Sequence, residues 1–243
     1  MTTFLQQFFQ CPACGAWMAS IELTSYTVHE SMLWSDGFQD HQAVYFMEPL
    51  FIKCPACSVI FCREDVHMVP AYDFQEDAVR VYERDEWRPP GIDSFEEGYR
   101  EALVNFYTEA LNSQACSNTE RETWIRTRLW WTINDCIRAY PGRRQWSLRV
   151  FLTFLRRLVL PSPGQLEFAR FSKVFKENLQ RMKPLYAERE AGLLLAEIHR
   201  EAGEFGEASG LLKEWGTGPE KSFVRVVRRA TRLRQKYVKL ISG

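Results

Sequence analysis

Four cysteines near the start of the chain have the residue type and the spacing of a metal site. They form two copies of one tetrapeptide, Cys11-Pro-Ala-Cys14 and Cys54-Pro-Ala-Cys57, separated by 39 residues. Each Cys-x-x-Cys pair directs two sulfurs to one point, and two pairs supply the four thiolates of a tetrahedral zinc site. Such a site has no open coordination position. We therefore predict one structural zinc ion, bound by Cys11, Cys14, Cys54 and Cys57, and no metal-centred catalysis.

Two other chemistries use similar cysteine spacing. A four-thiolate iron site needs the same pairs, so the spacing alone leaves zinc or iron open. A redox dithiol normally lies at the start of a helix in a βαβ unit, and neither pair has that context. The remaining Cys62, Cys116 and Cys136 are scattered on apolar stretches. An odd set of this kind favours free thiols in a reducing compartment, so we expect a cytoplasmic protein.

The histidines do not extend the metal site. His29, His41 and His67 have no ligand spacing with one another, and four cysteines already complete one tetrahedron. We expect these three side chains to lie at the surface or to form hydrogen bonds. His199 lies at a helix-packing position and is expected in the core.

Two sets of acidic and amide residues could be drawn as acid–base pairs. Asp36 with Asp40 is one, but Asp36 fits a turn; Asn134 with Asp135 is the other, but these fit a polar helix face. The sequence contains no nucleophile elbow, phosphate-binding loop, dinucleotide fingerprint or metalloprotease helix. We therefore expect no enzyme activity.

Short strands must position the cysteines. β-branched and aromatic residues within 21–28, 43–52 and 59–62 predict strands beside the two Cys pairs, and Asp36-Gly37 predicts a hairpin turn. This arrangement is typical of a zinc ribbon, which we place at residues 1–70. Seven acidic residues follow between 71 and 93, where we expect a linker with a short helix near 74–82.

From residue 94 the apolar residues recur with a helical period. The pattern predicts seven helices, which begin near Ser94, Thr119, Gln145, Gln165, Leu185, Phe205 and Pro219. Capping boxes mark the first two starts, the fourth helix is expected to end at 182, and the last is expected to reach Ile241. The predicted fold class is thus α+β: a small zinc ribbon of short antiparallel strands, then an all-α domain over residues 94–243.

One helical pair has a more specific pattern. Small and aromatic residues occupy the packing offsets of a tetratricopeptide (TPR) unit, namely Ala196, His199, Gly203, Phe205, Ala208 and Leu212. An ordinary helical hairpin fits as well, because no second copy appears at a 34-residue period and stacking needs about three repeats. We describe residues 94–243 as TPR-like.

Three motifs together resemble a group of bacterial proteins of uncharacterised activity. These proteins combine a Cys-Pro-x-Cys-Gly knuckle, a Trp-Ser/Thr-Asp-Gly segment, a second Cys-Pro-x-Cys knuckle and TPR-like helices. The matching residues are 11–15, Trp34-Ser-Asp-Gly37 and 54–57, with Leu129-Trp-Trp-Thr-Ile-Asn-Asp135 in the helical part. The resemblance implies a zinc ribbon joined to TPR-like helices. It departs at Ser58, where the second knuckle usually continues with Gly.

The charge is distributed unevenly. Residues 1–122 carry 7 Lys+Arg against 20 Asp+Glu, and residues 123–243 carry 24 against 11, although the net charge is zero. The basic half could dock on the acidic half, face an acidic partner, or bind nucleic acid. No run of about 18 apolar residues predicts a membrane span. We expect a non-enzymatic adaptor that binds another protein, with nucleic-acid binding through the basic half as the alternative.

Overall fold

The computed structural model describes residues 3–25, 32–40, 50–71, 74, 80–83, 98–138, 162–189, 191–213, 215 and 221–242. These residues confirm the predicted α+β fold class: short strands and the four cysteines come first, and helices follow. The strand predicted within 43–49, most of the short helix at 74–82, the capping box at 94–97 and the helix at 145–160 lie outside the described residues.

The N-terminal strands form two antiparallel pairs. Strand β1 (Thr3–Gln10) pairs with β2 (Trp17–Ser25), and β5 (Phe51–Lys53) pairs with β6 (Ile60–Cys62). The other described strands are β3 (Met32–Trp34), β4 (Gln39–Asp40), β7 (Val69–Pro70), β8 (Val81–Tyr82) and β9 (Leu240–Ser242). Strands β7 and β8 extend the first ladder to a sheet of order β7-β1-β2-β8.

Seven α-helices occur in the described part of the chain. They are α1 (Tyr99–Leu111), α2 (Thr119–Asn134), α3 (Pro163–Arg170), α4 (Ser172–Ala187), α5 (Gly192–Ala202), α6 (Phe205–Lys213) and α7 (Lys221–Arg232). Helices α5 and α6 form a hairpin whose turn contains Gly203 at φ +90°. Ala196 and Ala208 are fully buried, as expected where small residues let two helices approach closely.

The chain forms two compact units. One comprises residues 1–32, 39–129 and 243, and the other comprises residues 33–38 and 130–242. The first unit thus joins the cysteine strands to α1 and most of α2. The second joins a short N-terminal segment to α3–α7 and β9. The predicted zinc-ribbon, linker and helical boundaries at residues 70 and 94 stay a prediction.

Helix limits differ from the sequence prediction in the middle of the helical region. The helix predicted at 165–182 is two helices, which meet at the buried Phe171. Its start is fixed by a capping box between Ser162 and Gln165, so it begins at Pro163. Pro184 does not end α4, because a helix can continue past a proline when packing holds the next turn, and Tyr186 is buried there.

The C-terminal segment departs most from the prediction. Helix α7 ends at Arg232 instead of Ile241, and Arg234 adopts the left-handed conformation with φ 53°. The chain then returns as β9, which pairs antiparallel with β3 through Trp34↔Leu240. The prediction of one long helix was wrong because apolar residues at 237–241 fit a helical period, whereas a partner strand more than 200 residues away decides their conformation.

Candidate metal centre and a buried polar network

The two Cys-Pro-Ala-Cys segments have the same backbone hydrogen bonds. In the first, Cys11 N–H donates to Ala16 O at 2.9 Å and Gly15 N–H donates to Cys11 O at 2.9 Å. In the second, Cys54 N–H donates to Val59 O at 2.9 Å and Ser58 N–H donates to Cys54 O at 2.8 Å. Each segment is therefore a closed knuckle, and each is held by an adjoining strand pair.

The fourth residue after the first cysteine of each knuckle adopts a left-handed backbone. Gly15 has φ +72° and Ser58 has φ +62°. Ser58, where the resembling proteins usually have Gly, thus adopts the glycine-like conformation despite its Cβ. The second knuckle keeps the shape of the first and accepts a backbone conformation that side chains normally avoid.

The knuckles bring the four sulfurs into one cluster. Cys11 Sγ lies 3.7 Å from Cys57 Sγ, and Cys14 Sγ lies 3.7 Å from Cys54 Sγ. All four sulfurs lie within 4.8 Å of one another. A tetrahedral ion with metal–sulfur bonds of about 2.3 Å separates its ligands by about 3.8 Å, so the cluster has the size for one ion.

Each knuckle contributes one buried and one exposed cysteine. Cys11 and Cys54 are buried within a small core that also contains Phe9, Ile52 and Phe61. Burial raises the pKa of the Cys11 thiol to about 12 and raises that of Cys54, whereas the backbone N–H of Ala16 lowers the pKa of Cys14. A divalent ion bound there would displace the protons of these buried thiols and balance the charge of the resulting thiolates.

The cluster can bind one metal ion through protein ligands alone. Four cysteine ligands complete a tetrahedron, and zinc is the ion that such sites most commonly hold as a structural element. The ion would cross-link β1–β2 to β5–β6, because each knuckle belongs to one of these strand pairs. Its contribution would therefore be to folding.

The cysteine module contacts the first two helices within its own unit. Lys53 forms an ion pair with Glu109 of α1 at 2.7 Å, and Arg121 of α2 forms one with Asp65 at 2.6 Å. The ring of Phe51 lies 5.6 Å from that of Trp124. The strand that leads into the second knuckle is thus held by contacts with the helices and ends at the cysteine cluster.

The second unit contains a buried polar network that was not predicted from the sequence. Asp36 is fully buried, and its carboxylate accepts hydrogen bonds from Asn134 Nδ2 at 2.9 Å and from Phe38 N–H at 3.2 Å. It also forms an ion pair with Arg138, whose side chain has no solvent-accessible surface. Trp131 Nε1 donates to the backbone carbonyl of Asp36 at 2.9 Å. Asp36 thus closes a turn, as expected, and also neutralises a buried guanidinium.

Asn134 extends this network to α5. Its Nδ2 also lies 3.2 Å from Glu201 Oε2, which accepts a second hydrogen bond from Trp130 Nε1 at 2.7 Å. Arg200 is fully buried and pairs with Glu197 at 2.5 Å and with Glu201 at 3.2 Å. Burial raises the pKa of Glu201 well above its usual range, and the neighbouring Glu197 charge acts in the same direction.

The network explains two of the motifs that carried the resemblance. The Trp34–Gly37 segment supplies Asp36, and the 129–135 segment supplies Trp130, Trp131 and Asn134. In the sequence, this network is indicated by polar residues that lie among apolar neighbours at helical spacing. Because its central carboxylate and guanidinium are buried and bonded to each other, the network is suited to holding the unit together.

Of the other candidate residues, Asp135 joins the polar network through its ion pair with Arg138, and His67 and His199 join neither cluster. His67 is exposed. His199 was expected in the core, but its side chain is 16% exposed and its Nδ1 lies 2.6 Å from Glu204 Oε2. His29 and His41 lie outside the described residues, and so does the side chain of Asp40.

Comparisons with protein-family models, with curated proteins and with solved structures find no match to this chain. In the part of the chain that the structure describes, no helix has both the length and the apolar character needed to cross a bilayer.

Proposed function

We propose that this chain is a non-enzymatic interaction protein. One structural zinc ion stabilises its N-terminal strands, and its helical part carries the binding surface for another protein. The most direct support comes from the contacts of the four cysteines and of the buried carboxylates. The four cysteines fill one coordination sphere, and the buried carboxylates of Asp36 and Glu197 are paired with Arg138 and Arg200.

The helical part supports partner binding in a second way. Helices α5, α6 and α7 pack consecutively around Ala196, Leu212 and Val227, as helical pairs do in TPR-like proteins that bind peptides or domains on their exposed faces. The resemblance to bacterial zinc-ribbon proteins with TPR-like helices supports the same function.

Two measurements test the proposal. Elemental analysis of the purified chain should find about one zinc per chain, and iron in its place would change the ion assigned to the site. The zinc-loaded chain, used as bait with quantitative mass spectrometry, should retain a defined protein in near-stoichiometric amount. Retention of nucleic acid alone would contradict the proposal.

A matched control makes the capture specific. Cys11→Ser removes a ligand and should abolish zinc binding, whereas Cys116→Ser removes a thiol outside the cluster and should retain it. If the partner binds the helical part, the Cys116→Ser bait should capture it as well as the unmodified chain does.

A further inference from the structure

Helix α7 carries a cluster of cationic side chains that line one groove. The groove has a volume of about 620 Å³. Its lining residues are five cations and two apolar residues: Lys221, Arg225, Arg228, Arg229, Arg232, Val224 and Leu233. Within the described residues, the groove lining contains no carboxylate.

The cations form one stripe along the helix. They occupy positions i, i+4, i+7, i+8 and i+11, which lie on one face over roughly 16 Å at 1.5 Å per residue. Lys221, Arg225, Arg229 and Arg232 are exposed, and none of them forms an ion pair with another described residue. Like charges at such spacing destabilise a helix by a few tenths of a kcal/mol per pair. A bound anion would remove that repulsion.

The wall of the groove is fixed in position. Arg228 donates to the carbonyl of Leu212 at 2.7 Å and to that of Trp215 at 2.9 Å, and so ties α7 to the C-terminal end of α6. Val224 and Val227 are buried beneath the cationic face. A second groove, of about 520 Å³, shares Arg228 and Arg232 and adds Lys213. The positive surface therefore continues from α7 onto α6.

We infer that this groove binds a short acidic segment of the partner protein; the inference rests on the proposed function. Arginine clusters recognise acidic motifs because each guanidinium presents a planar fork of donors to a carboxylate. The groove volume lies in the range of sites that enclose a ligand of limited size. An extended segment of about five residues matches the length of the stripe.

The groove lining favours an acidic peptide over a nucleic acid. Among the described residues that line the α7 groove none is aromatic, so they offer no stacking platform for bases.

The test uses the full zinc-loaded chain and labelled synthetic probes at an ionic strength of about 0.15 M. The probes are a peptide with Glu at alternate positions, the same peptide with Gln in place of Glu, and single- and double-stranded oligonucleotides of similar net charge. Fluorescence anisotropy should show binding of the Glu peptide, with the Gln peptide at least about tenfold weaker.

Matched charge removals locate the site. Arg225→Gln with Arg229→Gln should weaken binding of the Glu peptide by about tenfold or more, because both side chains line the groove. Lys173→Gln with Lys176→Gln removes the same charge from exposed positions of α4 and should change the affinity less than about twofold. All four side chains are exposed, so we expect both variants to fold, which circular dichroism checks.

Three results would overturn the inference. Equal weakening by the two double variants would show that net charge alone attracts the peptide. Tighter binding of an oligonucleotide through the same arginines would assign the groove to nucleic acid. No peptide binding, together with undiminished capture of the protein partner, would leave the proposed function standing and place the partner surface elsewhere.

Discussion

Ser58 carries a local strain that the first knuckle avoids. Its φ of +62° lies in the region where a Cβ costs about 1–2 kcal/mol, and Gly15 occupies the equivalent position without that cost. We predict that Ser58→Gly raises the unfolding free energy of the zinc-bound chain by about 1 kcal/mol, after part of the gain is offset by the greater backbone entropy of glycine in the unfolded chain. Thermal unfolding in the presence of one equivalent of zinc measures this change in stability.

Two controls accompany that substitution. Ser58→Ala keeps the Cβ and should leave the stability nearly unchanged. Gly15→Ser introduces the same strain into the first knuckle and should destabilise the chain, although a Cβ there would contact no atom of the described residues within 4 Å. Stabilisation by Ser58→Ala equal to that of Ser58→Gly would show that the hydroxyl, and not the backbone angle, is responsible.

Glu201 gives the second unit a pH dependence that can be predicted in sign. Because its folded-state pKa is raised above its usual value of 4.5, the folded chain holds this proton while the unfolded chain releases it as the pH rises. This contribution to stability is full below pH 4.5 and is lost towards neutral pH. We predict that the unfolding free energy of Glu201→Gln, relative to the unmodified chain, increases from pH 5 to pH 8, measured by urea unfolding.

Glu204 supplies a control of opposite sign. Lys183 lowers its pKa to about 2, so its contribution is present above pH 4.5 and is lost as the pH falls towards 2. Glu204→Gln should therefore be slightly less stable than the unmodified chain above pH 4.5, by a constant amount that shrinks as the pH falls towards 2. The difference should be small because the side chain is 36% exposed. A flat profile for Glu201→Gln between pH 5 and 8 would contradict the assignment of a raised pKa.

Residue identity and spacing predicted the four-cysteine cluster but not the polar network. Each Cys-x-x-Cys pair is a local motif, so a single long-range contact, that between the two knuckles, brings the four sulfurs together. Asp36 and Arg138 are 102 residues apart, and neither has a local signal that names the other. Asp36 fitted a turn, and that explanation was sufficient for its backbone but not for its carboxylate.

At the scale of elements, the sequence predicted strand and helix types better than helix ends. Helices α2 and α6 begin where periodicity placed them, and the turn at Gly203 follows from its left-handed φ. Helix α5 was predicted to begin near Leu185, but it begins at Gly192, because α4 continues past Pro184 to Ala187. The expected cap at Thr119 is replaced by Asn118, whose Oδ1 accepts from Arg121 N–H at 2.9 Å. Helical periodicity identifies the apolar residues that would share one buried helix face. It does not show whether the last of these residues belong to a strand instead.

The pairing of the C-terminal strand can be tested through Ser35. Its hydroxyl accepts a hydrogen bond from Lys239 N–H at 2.8 Å, and its own N–H donates to Lys239 O at 2.7 Å. We predict that Ser35→Ala lowers the unfolding free energy by about 1 kcal/mol, because it leaves the partly buried Lys239 N–H without its hydrogen-bond partner. Faster hydrogen exchange at the Lys239 amide should accompany the loss.

Ser222→Ala is the matched control, since Ser222 is exposed on α7 and the substitution should be neutral or slightly stabilising. If residues 233–241 instead continued α7, Ser35→Ala would leave the Lys239 amide unaffected. An unchanged exchange rate at Lys239 would therefore contradict the strand.

At the scale of the whole molecule, metal removal should act on one unit. The cysteine strands, α1 and the first part of α2 share one compact unit, with ion pairs from Lys53 and Arg121 joining strands to helices. We predict that chelation removes hydrogen-exchange protection across this unit, α1 included, while amides of α5–α7 stay protected. The reason is that the free energy of binding a structural ion is folding free energy for the part it holds.

In Cys54→Ser, elemental analysis should find no bound zinc, and hydrogen exchange should show the same loss of protection as chelation does. Cys116→Ser should keep both the zinc and the protection. Retention of protection in the cysteine strands after complete metal removal would show that their small core is sufficient alone. Loss of protection throughout the chain would show that the ion stabilises both units.

The second unit also has a consequence for the order of events on the ribosome. It needs residues 33–38 and β9, which are synthesised far apart in time because β3 and β9 pair across more than 200 residues. Until β9 emerges, the Ser35 backbone lacks its partner, so this unit cannot close during synthesis. The same geometry affects any attempt to divide the chain. A fragment that begins at residue 94 lacks Asp36, so its buried Arg138 would keep only the partly exposed Asp135 as a counter-charge.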